Sequence, residues 1–403
     1  MAETLPASTF CRSIEKELNM NYNNRLENDS TMTMKVVCAV AFVTFCFLFL
    51  MFRQADVIAV AQHVLSDGKT TYLPIVGALL VTFALTMLQQ GLNSYLHINH
   101  RSHWTTYFPS MLLLTILTDI SVEITNGFKL GAWAWLAPLL IVIWGLVSLG
   151  LKKIQNYEPD IHSRGLFSRL MWVNLFPMCF MMMGVGLVSA NDDMFHYRAK
   201  MERLMINGEW DKAVMVGEKS LDKDISLTML RCYALAREGH MADEMFKYTV
   251  AGTSETLLPL GEGSSLLMYP VDSLYKFLGA RPLKSMTTRQ YIKALEASGY
   301  KSRTIADYRL CGMLVDRDID AFVHELPRHY NVNDSLPLHY REALTLYTHK
   351  RSMPLIVYHN QIMDTDYEDL QKLEEANKDP KARRLAVFNQ YFGTYWWYYE
   401  YGK

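Results

Sequence analysis

Charge is what the first half of this chain lacks. Residues 1–190 hold 12 Lys/Arg and 11 Asp/Glu, whereas residues 191–403 hold 28 and 30. So thin a supply of charge does not suit the surface of an ordinary soluble domain, while the second half reads as soluble helical protein. Cysteine is also scarce, six in 403 residues, which excludes a disulfide scaffold. The sequence has no P-loop, no Gly-x-Gly-x-x-Gly after a strand, no Gly-x-Ser-x-Gly and no His-Glu-x-x-His, so nothing signals the common nucleotide-binding, hydrolase or zinc-protease sites, and no cofactor is expected. A net charge of −1 argues against a general nucleic-acid binder, which carries a basic face. With half its residues apolar, the chain is not disordered.

What the first half has instead is long apolar runs. They cover 36–52, 72–92, 107–124, 131–151 and 170–190, and crossing hydrocarbon takes roughly 20 residues of helix. The expectation is five membrane spans in a domain at 35–190, preceded by a polar tail at 1–34. Tyr72, Trp104, Tyr107, Trp133, Trp135 and Trp172 sit near run ends, where headgroup-level rings belong. With the N-terminus inside, the inner segments carry nine Lys/Arg and the outer ones three, which places the N-terminus in the cytoplasm. Five spans then put the second half outside the cytoplasmic (inner) membrane, in the periplasm of a Gram-negative cell. The inference depends on parity: without the third run, the second half returns to the inside.

The second half, 191–403, turns to helical periodicity. Tyr197, Met201, Leu204 and Met205 share one face, Gly208 ends that helix, and Trp210 to Ala213 begins the next. A second Gly turn, at Gly239, joins 226–238 to 241–250, and 288–298, 305–315, 318–326, 338–347, 366–375 and 383–399 read as further helices. Gly208-x-Trp210-x-x-Ala213 and its looser echo some 31 residues later resemble the turns of tetratricopeptide repeats. The chain as a whole resembles polytopic bacterial membrane proteins that end in such a domain. The expected fold is therefore all-α, a bundle of about five transmembrane helices followed by a soluble tetratricopeptide-like domain, interrupted at 251–282 by an irregular insertion rich in Gly and Pro. The resemblance implies a scaffold that binds a protein or peptide and implies no activity.

Candidate functional residues follow from this reading. Tyr197, Trp210 and Tyr233 are the candidates for the repeat groove. The C-terminal segment 391–401 holds eight aromatics in eleven residues, and its Trp396 and Trp397 are the second candidates, because aromatic anchors dominate binding hot spots. Asp119 and Glu123, four residues apart at the end of the third run, are the polar candidates within the membrane. They are the support for an alternative reading as a membrane enzyme or transporter acting on a lipid-linked or envelope substrate. His97, His100 and His103 do not share a helix face, since i and i+6 lie about 120° apart, and no metal site is expected. Cys232 and Cys311 are expected as buried free thiols. The expected partners are the lipid bilayer and a protein or peptide, with no nucleic acid.

Overall fold

A computed structural model describes residues 31–402 apart from 97, 128, 155–167, 261–262, 284 and 334. Most of the polar tail, together with Cys11 and His97, lies outside the described residues. Among the described residues the fold is all-α, and it divides into two compact units, Met1–Asn191 and Asp192–Lys403.

The first unit contains α1 (Thr31–Arg53), α2 (Ala55–Leu65), α3 (Pro74–Leu96), α4 (Phe108–Thr118), α5 (Trp133–Ile154) and α6 (Arg169–Val188). Four of these, α1, α3, α5 and α6, are long and apolar enough to cross a membrane, and at most 22% of each apolar window is buried. Their outward side chains are apolar: α3 exposes Ile75, Val76, Leu79, Leu80, Phe83, Met87 and Leu88. A helix with apolar side chains on the outside is made for lipid and not for water. Its inward stripe is Ala78, Thr82, Leu85 and Gln89, at the i, i+4, i+7, i+11 spacing of one helix face.

The third apolar run departs from expectation. Its α-helix has only 11 residues, and Asp119 leaves helical geometry at φ −83, ψ 72. Glu123 falls on a separate 3-10 turn, Val122–Asn126. The helical path instead extends upstream, through a 3-10 segment at His100–Tyr107 that runs directly into α4 and buries Ser102, His103, Thr105 and Thr106. Apolar content could not reveal this part, because its polar groups face protein. Asn174 of α6 accepts the Trp104 N–H at 3.0 Å and donates to the His100 carbonyl at 2.8 Å. At the other end the Ala190 N–H donates to the Thr118 carbonyl at 3.0 Å. Residues 100–118 therefore run parallel to α6 along its whole length. Gln89 donates to Thr106 (3.0 Å), Ser110 to the Leu85 carbonyl (2.9 Å) and Trp144 to the Thr105 carbonyl (2.8 Å); Trp133 donates to Asp119 at 2.7 Å. These contacts make α3 and α5 antiparallel to the same segment. α2 lies where the sequence suggested a loop.

The second unit contains α7 (Asp193–Ile206), α8 (Trp210–Val214), α9 (Ile225–Glu238), α10 (Met241–Glu244), α11 (Val271–Leu278), α12 (Thr288–Ala297), α13 (Arg303–Val315), α14 (Ile319–Glu325), α15 (Leu338–Lys350), α16 (Gln361–Ala376), α17 (Pro380–Tyr391) and α18 (Tyr395–Tyr401). Here polarity is conventional: α12 buries Thr288, Tyr291, Ile292 and Leu295 and turns Arg289, Gln290 and Lys293 outward. α8 has five residues and α10 four, whereas a 34-residue helix–turn–helix repeat leaves about a dozen per helix. The pairs are long and short, and the unit is all-α without an identified repeat. The expected helix at 383–399 is two helices, because the chain turns at Gly393, where φ is +95.

The irregular stretch 251–282 is built into the core. Leu257, Leu258, Leu267, Met268 and Tyr269 are buried, and α11 lies inside it. Its backbone is held by Glu202, which is fully buried and accepts the N–H groups of Leu267 (2.8 Å), Met268 (2.6 Å) and Tyr269 (2.8 Å). Burial pushes the Glu202 pKa up, and the three N–H groups and the nearby Arg198 pull against that. Cys232 and Cys311 are free and buried, and burial raises the Cys232 thiol to about 12, which leaves it unreactive.

Candidate functional site

The residues singled out from the sequence fall in three places. Tyr233 is fully buried, its hydroxyl 3.1 Å from that of Tyr269 and its ring edge-on to Trp210 at 5.9 Å. Trp210 is partly exposed beneath the Arg237 guanidinium, at 4.8 Å. Tyr197 packs partly buried against the same core, its ring close enough to Gly217 that a Cβ there would meet it at 3.0 Å. The C-terminal aromatics form a second group. Trp396 is buried and donates its indole N–H to the Glu342 carbonyl at 2.7 Å, and Glu342 also accepts the Tyr395 N–H at 2.7 Å. Trp397, half-buried, packs on Phe388 and Phe392. Tyr395, Trp396 and Tyr398 belong to the core and Tyr391, Trp397, Tyr399 and Tyr401 pack partly buried against it, so deleting the segment is expected to destabilise the unit. Asp119 and Glu123 are exposed and lie on different elements. His100 and His103 lie on the 3-10 segment, and among the described residues no group of three or more His, Cys, Asp or Glu is placed to hold a metal ion.

None of these residues lines the cavity that the second unit forms beyond the end of α12. That cavity, about 810 Å³, lies between α12, the start of α13 and the segment that follows α14. Local chemistry sets its walls. Thr287 and Gln290 form a capping box at the start of α12, the reciprocal pairing that fixes a helix N-terminus. Gly299, at φ +90, takes the left-handed turn that few other residues accept and carries Tyr300, Lys301 and Ser302 to the rim. Ser302 then caps α13 by accepting the Ile305 N–H. On the opposite wall, a 3-10 turn at Leu326–Arg328 ends α14, and Leu326 anchors it in the core.

The charges of the cavity are ordered by depth. Arg309 bridges two carboxylates of the floor: it contacts Glu296, and its second nitrogen lies 3.0 Å from Glu325. Glu325 also meets Arg328 at 3.0 Å and His329 at 3.4 Å. Behind the wall, Asp307 accepts hydroxyls from Tyr330 (2.5 Å) and Tyr340 (2.8 Å). Burial pushes the Asp307 pKa up, and the two phenols and Arg303 oppose it. Arg303 donates to the Tyr330 hydroxyl at 3.0 Å and lies 3.9 Å from Asp307. Each of these carboxylates is thus engaged by a cation or a phenol, an arrangement that orients the side chains. Sequence reasoning missed this site. The signals present were spacings, Arg303 to Asp307 at i+4 and Glu325 to Arg328 and His329 at i+3 and i+4, which are common on any helix surface.

A family profile matches residues 122–280 and 275–402. The chain belongs to that family, DUF6057, a family of unknown function. The matched residues take in α5 and α6 of the first unit and all of the second, the cavity included. No curated protein and no solved structure matches the chain.

Proposed function

We propose that this protein is a membrane-anchored, non-catalytic binding protein whose second unit holds a protein or peptide partner outside the cytoplasm. The observation that carries the binding reading is the cavity between α12, α13 and the end of α14. It is open, sized for several side chains, and combines Tyr300, Tyr330, Asn331, Asn333 and Leu336 with a scaffold of internally paired charges. Aromatic and amide side chains around such a pocket are the usual means of holding a chain.

The anchor in this reading crosses the cytoplasmic membrane five times, with the N-terminal end of α1 inside. Residues 100–118 form the third crossing in chain order, additional to α1, α3, α5 and α6. The eight-residue 3-10 segment, kinked at Ser102, and eleven α residues rise at most about 32 Å, and about 26 Å from His103 onward, against the roughly 30 Å of a hydrocarbon core. Charge supports the odd count. Five crossings leave nine Lys/Arg inside and three outside, whereas four crossings leave six on each side, with Arg101 and Lys129 opposite Arg53, Lys69, Lys152, Lys153, Arg164 and Arg169; only the first division is the asymmetry that orients membrane proteins.

Photo-crosslinking in cells tests the binding reading. A benzophenone side chain at Tyr300 or Asn331, both on the cavity, is expected to give one discrete adduct that is absent when the same group stands at Leu385, which is exposed elsewhere on the unit. No adduct, or the same adduct from Leu385, would remove the reading.

A further inference from the structure

We propose that the cavity contains an anion subsite, built by Arg303 and Arg328 with Lys301, that takes the carboxylates of an acidic polypeptide segment. This inference rests on the binding reading above and names the chemistry of its partner.

The argument is the vertical order of the charges. The carboxylates are deep: the side chains of Asp307, Glu325 and Glu296 are 6%, 8% and 19% exposed. The cations on the rim are shallow: Arg303 is 62% exposed and Arg328 59%. Each rim arginine is held from below by an acid that a ligand cannot reach first. Arg328 leans on Glu325 through one terminal nitrogen, and Arg303 is fixed through its Nε, by the Tyr330 hydroxyl and by Asp307 behind it. With Nε engaged by Tyr330 and Asp307, the remaining edge of the Arg303 guanidinium carries its two terminal nitrogens. That edge is the fork that meets a carboxylate with two parallel hydrogen bonds. The balance of charge agrees. Among the described residues, Lys301, Arg303, Arg309 and Arg328 of the lining stand against Glu296 and Glu325, with Asp307 behind the wall, which leaves one positive charge in excess on a chain whose net charge is −1. Arg309 is consumed by the floor acids, so the excess belongs to the rim. Tyr300 beside it offers an apolar face to the backbone between two acidic side chains. A peptide is favoured over an isolated anion because the cavity is far larger than one carboxylate and because its amides, Asn331 and Asn333, match peptide groups.

The test uses the full chain in nanodiscs and fluorescence anisotropy with labelled hexaglutamate, hexaglutamine and inorganic phosphate as probes. The expected result is hexaglutamate binding that weakens as salt rises, no hexaglutamine binding, and little competition by millimolar phosphate. Arg303→Gln should weaken hexaglutamate at least tenfold, and Arg328→Gln several-fold; both side chains are exposed, so circular dichroism and melting should match the parent. Hexaglutamate binding that is absent, that is unchanged in Arg303→Gln, or that phosphate displaces as well as unlabelled peptide would overturn the proposal. The two readings separate: a cavity-specific crosslink with no charge selectivity leaves the binding reading and removes the subsite, whereas hexaglutamate binding sensitive to Arg303 with no cellular crosslink does the reverse.

Discussion

α3 of the first unit and α12 of the second use one packing pattern with opposite polarity. Both bury a stripe of about one residue per turn, Ala78, Thr82, Leu85 and Gln89 in α3, and Thr288, Tyr291, Ile292 and Leu295 in α12. Around its stripe α3 presents Leu80, Phe83 and Met87, whereas α12 presents Arg289, Gln290 and Lys293. Inside, both units carry an apolar core, Phe42, Leu50, Leu85, Tyr107, Met111 and Leu114 in the first and Tyr233, Leu258, Leu310, Phe322 and Tyr340 in the second. The first unit adds a buried hydrogen-bonding layer of Ser102, Thr105, Thr106, Ser110 and Asn174. Helical periodicity says which residues share a face; the surrounding medium decides which face turns inward. In water, burying apolar area drives packing. In lipid that drive is absent between helices, and close packing with interhelical hydrogen bonds takes its place.

The comparison breaks most visibly at Glu202, a fully buried carboxyl that holds backbone N–H groups in the second unit. Glu202→Ala strands three N–H groups in a dry interior, at about 1–3 kcal/mol each. The expected loss is about 3 kcal/mol or more, read as a collapse of the thermal transition of the second unit. A melting temperature within about 2 °C of the parent would show that the insertion is held by its own apolar contacts.

A pair of identical substitutions sharpens it further. Phe83 and Leu385 are each 62% exposed, one in each unit. Phe83→Lys places a charge in the hydrocarbon, at a cost of about 3 kcal/mol, and should lower the yield of inserted, folded protein. Leu385→Lys should change stability by no more than about 0.5 kcal/mol. Equal outcomes would contradict the assignment of different media to the two surfaces.

The smallest effect concerns pH and belongs to the second unit. Burial, then the hydrogen bond and charge of Asp211, raise the pKa of Glu238 from 4.5 to about 7. A raised folded-state pKa means that the protonated carboxyl favours the fold: this contribution is complete below pH 4.5 and is lost as pH rises through about 7. Glu238→Gln keeps the neutral form at every pH. Melting of the variant should vary less between pH 5 and 8, and at pH 8 it should exceed the parent by about 2 °C. A variant that melts lower at pH 8 would contradict the direction of the shift.

Much of the architecture was legible in the residues. The charge-poor half and its apolar runs marked α1, α3, α5 and α6 to within a few residues, because a lipid-facing helix must be apolar over most of its length. Gly208 and Gly239 marked helix ends, since each adopts a left-handed turn. The segment 100–107 was illegible for the converse reason. Its His, Ser and Thr side chains look like a loop. The structure shows Thr105 and Thr106 bonding back to carbonyls of the segment, and α3, α5 and α6 holding the Thr106 hydroxyl and the backbone at Thr105 and Trp104. Tyr233 and Trp396 drew attention as aromatics, yet aromatic residues serve cores as readily as surfaces, and nothing local told Trp396 that it would meet Glu342. The cavity residues were hidden because their relation is tertiary: Asp307 meets Tyr330 and Tyr340 across 23 and 33 residues of sequence.

The crossing of residues 100–118 decides on which side of the membrane the second unit works. Reporters active only outside the cytoplasm, fused separately after Leu151 and after Lys403, read it directly. Five crossings predict a silent reporter at Leu151 and an active one at Lys403. The reverse, active at Leu151 and silent at Lys403, would mean that residues 100–118 do not cross and that the cavity faces the cytoplasm.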